Sequence, residues 1–209
     1  MLAAFTYTVA VLLANLTATL FLPLEIVPGS GILVSVGTLV FGITFTQRDR
    51  MHFHGRSFVY RVIALSAVLN LLMLVSFSYF WGAWIVRLFE SRGWEWLEAS
   101  ATMLKENGWR VFLASFLAIL IAESADTEIF HLYRDRSWLG RVFRSNAVSI
   151  PVDSFLFNVI AFAGSPFFPV GVLVKVILGE IAAKFTVGFF YAFVYPSNLK
   201  GSVPDSQKS

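Results

Sequence analysis

Residues 122–164 read AESADTEIFHLYRDRSWLGRVFRSNAVSIPVDSFLFNVIAFAG. Two apolar runs meet here at a basic loop, yet each run holds acid where a lipid-facing helix would be apolar: Glu123, Asp126 and Glu128 in the first, Asp153 in the second. An aspartate at the centre of a spanning helix costs about 2.5–3.5 kcal/mol on the insertion scale, so such groups persist only against a protein interior or a watery cavity. They are the first candidates for function.

The rest of the chain supplies the bilayer context that makes those acids unusual. Of its 209 residues 57% are hydrophobic and 14% charged, whereas a soluble domain is about a quarter charged. The first apolar run, Leu2 to Leu24, has no basic leader and no small-residue cleavage site, so it is expected to be a retained helix rather than a removed signal. The absence of cysteine excludes disulfides, thiolate metal sites and cysteine nucleophiles. A net charge of +3 could suggest nucleic acid, but the basic residues sit in short loops between apolar runs, the pattern of positive-inside topology.

The expected fold is an all-α integral membrane protein, a single domain over 1–196 with six spans at about 2–24, 30–47, 58–80, 109–133, 146–164 and 170–195. Lys and Arg cluster at 48–61, at 134–144 and in the tail. If the spans alternate, these clusters share one side, which puts both termini in the cytoplasm of a cell (inner) membrane. A polar tail, 197–209, is expected to be disordered. Between spans three and four, residues 94–106 alternate apolar and acidic faces at helical spacing, which predicts an amphipathic interfacial helix beside the aromatic belt of Trp81, Trp84 and Trp109. That connection divides the chain into two groups of three spans, the count from which inverted three-helix halves are built. Gly31, Ser35, Thr38 and Gly42 form a small-residue face on span two, expected to pack closely on a neighbour.

Counting outward from Leu139 brings Asp126 and Asp153 to nearly one level, so the two are expected to face one another or flank one cavity. Glu123 lies a turn deeper on the same face as Asp126, and the same counting puts Lys184 in its layer. Glu180 precedes Lys184 by four residues, while Lys175 lies farther out; Asn15 and Asn70 fall near the midplane of their own spans, and Asn158 is a further polar residue of span five. The acids outnumber the lysines, so a carboxylate must hold a proton, reach water or await a donor from a ligand. Pro151 lacks an N–H and frees the carbonyl of Ala147, so span five either starts at Ser149 or kinks there. His52-Phe53-His54 resembles half a metal site, but with no carboxylate partner motif it is expected to be a solvated loop, and no metal or cofactor is expected. No Walker, GxGxxG or HExxH motif is present.

Asp126 followed by Ile129-Phe130, then Ser145-Asn146, Ser149, Asp153-Ser154 and Ile160-Ala161-Phe162, resembles the paired signature of the VUT family of vitamin uptake or queuosine-precursor transporters. The resemblance covers 122–164 well and extends thinly to Asn15 and Lys175; the acid that the family carries after span two has two near matches, Gln47 and Asp49. It implies a six-helix importer of 7-cyano-7-deazaguanine or a related deazapurine. Asp126, Asp153, Asn146, Asn15, Glu123 and Lys184 would bind the substrate, and Asp126, Asp153 and Glu123 would couple protons or ions. A guanine-like edge offers adjacent N–H donors that a carboxylate accepts in pairs. Two other classes stay open: an intramembrane aspartyl enzyme using Asp126 and Asp153 as a dyad, and a membrane subunit that needs an ATPase energy-coupling module. The sequence also leaves a homo-oligomer open.

Overall fold

The computed structural model describes residues 1–23, 32–133, 135–166 and 168–194. The tip of the first turn and the polar tail, for which the sequence carried expectations, lie outside the described residues.

The first two expected spans are each part helix and part strand. Helix α1 (Leu2–Leu16) ends within an apolar run, and the chain continues as strand β1 (Phe21–Pro23), paired antiparallel with β2 (Leu33–Ser35) in the register Phe21↔Ser35 and Pro23↔Leu33. Helix α2 (Val36–Met51) comes directly after β2. Backbone polar groups away from water must be paired. The ladder does this, helped by Val36 N–H donating to the Leu20 carbonyl at 2.7 Å and Gly37 N–H to the Thr17 carbonyl at 3.2 Å. Gly37 is required by the close approach of α1 and α2, because a Cβ there would sit 2.2 Å from the Ala14 carbonyl oxygen. Of the small-residue face, Gly42 packs on Val187 and Thr38 lines the central cavity.

A 3-10 turn (His52–His54) leads into α3 (Arg56–Ser76), which continues through a π turn (Phe77–Trp81) into α4 (Gly82–Ser91). After a three-residue turn the chain returns as α5 (Glu95–Ala118), a second π turn (Ile119–Glu123) and α6 (Ser124–Leu132). These two rods have 36 and 38 residues, about 55 Å each at 1.5 Å per residue, against about 30 Å of hydrocarbon. Residues 94–106 are therefore the first turns of a helix continuous with span four, and they pair with α4 in a helical hairpin. Trp81, Trp84, Trp96 and Trp109 are exposed along it.

Helix α7 (Trp138–Phe162) is capped by Ser137, whose Oγ accepts from Gly140 N–H at 3.3 Å, and runs unbroken through Pro151. Span five thus begins well before Ser149. Arg110 donates to the Ala163 carbonyl at 2.7 Å and closes its far end, where helix carbonyls lack partners and a cation is favoured. Helix α8 (Val170–Val194) completes the chain.

The rods form a closed ring. Helix α1 packs on α2, α2 on α8, α8 on α7, α7 on α5 and α6, α5 on α3, and α3 back on α1. Three helical stretches, 56–91, 95–132 and 138–162, are long and apolar enough to cross a membrane, and α8 has their length. The two halves of the chain are built differently, with broken first spans and unbroken last ones. One end of the ring gathers the 52–54 turn, the end of α6 and the start of α7, since His52 stacks on Phe130 and Arg141 lies over the same ring. Ala192, near the end of α8, is buried with Phe130 and Val142 in the same cluster.

Candidate functional site

Five carboxylates are buried among the described residues, Asp49, Glu123, Asp126, Asp153 and Glu180, against two buried cations, Arg48 and Lys184. They divide into two groups.

The first is centred on Arg48, whose side chain is fully buried. Its Nη1 donates to Glu123 Oε2 at 2.7 Å; its Nη2 lies 2.7 Å from Asp126 Oδ2 and 3.4 Å from both Asp49 Oδ1 and Asn146 Oδ1. Ser149 Oγ donates to Asp126 Oδ1 at 2.9 Å. Helix α2 supplies the guanidinium on the face that also carries Phe41, Phe45 and His52, at offsets of four, seven and eleven. The π turn at Ile119–Glu123 ends on the residue that meets it. A π turn adds a residue to one helical turn and re-aims the side chains beyond it, and such turns recur at functional sites.

The second group is centred on Lys184, whose Nζ donates to Asp153 Oδ2 at 2.7 Å, Ser154 Oγ at 3.0 Å and Glu180 Oε2 at 3.3 Å. Asn158 Nδ2 donates to the same glutamate oxygen at 2.8 Å. The other oxygen, Glu180 Oε1, has no partner among the described residues. Asp153, Glu180 and Lys184 form one wall of a cavity of about 40 Å³ at the ring's centre, completed by Asn15 and Thr38, with aromatic surface from Phe41 and Phe157. That volume holds a few waters; pockets for organic ligands run to about 300 Å³ or more. In this conformation the cavity is too small for an organic ligand. Tyr7 is fully buried, with its hydroxyl unpartnered among the described residues.

This arrangement corrects several expectations. Asp126 and Asp153 do not pair with one another or with a common cation. Asp126 meets Ser149, one turn short of Asp153, and each aspartate has its own cation. Glu123 pairs with Arg48, whereas Lys184 pairs with Asp153. Arg48 is a core residue of α2 rather than part of a cytoplasmic loop, and Asp49 is the buried acid at the end of span two. His52 is buried, its Nδ1 3.1 Å from His131 Nε2; burial, then the charge of Arg48, push this imidazole well below its ordinary pKa. His54 is exposed, as the loop reading had it. Lys175 is exposed and Glu128 pairs at the surface with Arg56 and Tyr60, so neither joins the core. Asn15 and Lys184 reach the cavity, whereas Asn146 belongs to Arg48. The sequence reasoning missed Arg48 and Tyr7; the face 41, 45, 48, 52 was the available signal for the former.

The family model described as Putative vitamin uptake transporter matches residues 35–196, most of the chain and both charge groups. The chain belongs to this family. No curated protein and no solved structure matches it. Within this vitamin uptake transporter family member, Tyr7 and Asn15 come from the helix that precedes the matched region, so α1 adds its own polar groups to a core that the family pattern otherwise spans.

Proposed function

We propose that this protein imports a planar nitrogen heterocycle, a deazapurine such as 7-cyano-7-deazaguanine, as a secondary transporter of six spans with both termini cytoplasmic, and that the ring is held where Asp153, Glu180 and Lys184 meet the central cavity. The observation that carries this reading is the unpartnered Glu180 Oε1 in a cavity with aromatic walls. A carboxylate oxygen without a donor costs free energy when buried, and the adjacent N–H groups of a guanine-like edge would satisfy it. Phe41 and Phe157 offer surfaces for the ring. Loading requires the rods to part, because the cavity at this volume takes water only.

Coupling to protons follows from the charge balance. Five buried acids against two cations are costly when all are ionised, so Glu123, Asp126 and Asp153 are the groups proposed to exchange protons during the cycle. That each aspartate has its own cation supports transport over an aspartyl enzyme, whose two carboxyls share one proton at one site.

The test is accumulation of labelled 7-cyano-7-deazaguanine by purified protein in liposomes under an inward proton gradient. Asp153→Asn should weaken binding by about 1–3 kcal/mol, roughly 5- to 150-fold. Accumulation that survives a protonophore removes the coupling. Uptake restored only by an added ATPase module turns the protein into a subunit. Unimpaired transport by Asp153→Asn removes the assigned site.

A further inference from the structure

The end of the ring near the 52–54 turn holds more unsatisfied coordinating atoms than the Arg48 ion pairs use. One donor atom from each of Asp49, His52 and Asp126 lies within 4.8 Å of the other two, and all three residues are buried. Arg48 engages Asp49 through Oδ1, leaving Oδ2 buried and without a partner among the described residues. His52 Nε2 is likewise buried and unpartnered among them. Two orphaned ligand atoms, a carboxylate oxygen and an imidazole nitrogen, beside a second carboxylate form a cluster that a bound ion would satisfy. We propose that Asp49, His52 and Asp126 bind a divalent first-row transition cation, of the class of Mn²⁺ or Zn²⁺, at a site separate from the central cavity.

Charge, donor type and support agree. Asp49, Glu123 and Asp126 offer three negative charges against Arg48, so ionised they leave a buried excess of two, the charge of one such ion. Two carboxylate oxygens and one imidazole nitrogen suit Mn²⁺, Fe²⁺, Co²⁺ or Zn²⁺, whereas Mg²⁺ and Ca²⁺ take oxygen. The second ring nitrogen of His52 is 3.1 Å from His131 Nε2, and its ring is stacked on Phe130 at 4.6 Å. A ligating imidazole is generally held by such an outer partner, which selects the tautomer and leaves the other nitrogen free for the metal. An ion about 2.1 Å from each donor holds tetrahedral donors about 3.4 Å from one another, so donors as much as 4.8 Å apart close by up to about 1.4 Å, a movement that side-chain rotation supplies. Arg48 stays on Asp126 Oδ2 and Asp49 Oδ1, since a carboxylate has about four lone-pair sites and can accept from a guanidinium while binding an ion.

The experiment uses full-length protein without a histidine tag, stripped with a chelator and titrated with Mn²⁺, Zn²⁺ and Mg²⁺ under calorimetry, with bound metal counted by mass spectrometry. One Mn²⁺ or Zn²⁺ per chain is expected, with a raised thermal midpoint and no competition from Mg²⁺. Histidines at 52, 54 and 131 are the only three in the chain. His52→Ala should lower affinity by over about 100-fold and His131→Ala by about 10- to 100-fold, while His54→Ala binds as the wild type does. Should His52→Ala fail to fold, Cu²⁺ bound to wild-type protein must show nitrogen hyperfine splitting that survives in His54→Ala. Absence of stoichiometric uptake, equal uptake by folded His52→Ala, or binding and splitting abolished by His54→Ala each overturn the site. Metal binding as expected together with unimpaired transport by Asp153→Asn would sink the cavity assignment alone.

Discussion

Arg48 shows how a single side chain reorganises the functional picture. It lies one position before Asp49, at the end of an apolar run, and by charge alone is indistinguishable from its neighbours Arg50 and Arg56. Burial separates them, because a guanidinium withdrawn from water persists only when surrounded by acceptors, and Glu123, Asp126, Asp49 and Asn146 supply these. Arg48→Met should therefore cost about 3–5 kcal/mol, since it strands three carboxylates. Thermal unfolding in detergent would report this, and adding Glu123→Gln and Asp126→Asn should recover part of the loss. Arg56→Met breaks an ion pair whose side chains are 48% and 56% exposed, so it should change stability by less than about 1 kcal/mol. Equal midpoints for the two variants would mean that Arg48 reaches water in solution.

Among the elements, α1 and α2 are the most constrained, because two short helices complete their spans with paired strands. The α1–α2 crossing rests on Gly37, where an added methyl group meets backbone, and the packing of α2 on α8 on Gly42, where it meets the Val187 side chain at 2.6 Å. Backbone cannot rotate away and a side chain can. Gly37→Ala is thus expected to lose about 1–3 kcal/mol and Gly42→Ala less, while Gly171→Ala, with nothing within 4 Å, should be neutral or slightly stabilising. A Gly42→Ala variant less stable than Gly37→Ala would show that the helices cross differently.

At the scale of the whole molecule, the ring order places the turn at 52–54, the connection after α6 and the end of α8 together, with the α4–α5 hairpin at the opposite end. The chain has no cysteine, so single substitutions label without background. Cysteines at Ser57 and Ser137, both exposed, should behave alike toward an impermeant thiol reagent in intact cells and opposite to one at the exposed Ser91. Protection of the first pair places that end in the cytoplasm, as the basic loops imply; reaction of all three would break the ring as a transmembrane arrangement.

Composition and apolar run lengths determined by themselves that the chain belongs in a membrane, and Glu123, Asp126, Asp153 and Lys184 declared their burial, because lipid tolerates such groups only inside protein. The family signature over 122–164 was equally legible, and the match over 35–196 bears it out. Partnership was not legible. Asp126 and Asp153 are near in helical count, but a shift of one turn, about 5 Å, gives them different cations, and no residue within either helix encodes that register. It is decided by the contacts of α7 with α5, α6 and α8 at once. The break in the first two spans was hidden for a related reason: a strand pair and a helix satisfy the same backbone groups in an apolar run, and tertiary packing, with Gly37 against α1 and Gly179 beneath β2, accommodates the strand pair. Positive-inside reasoning counts cations at span ends and carries no depth, so the tertiary structure alone could turn Arg48 from a loop charge into the centre of the site.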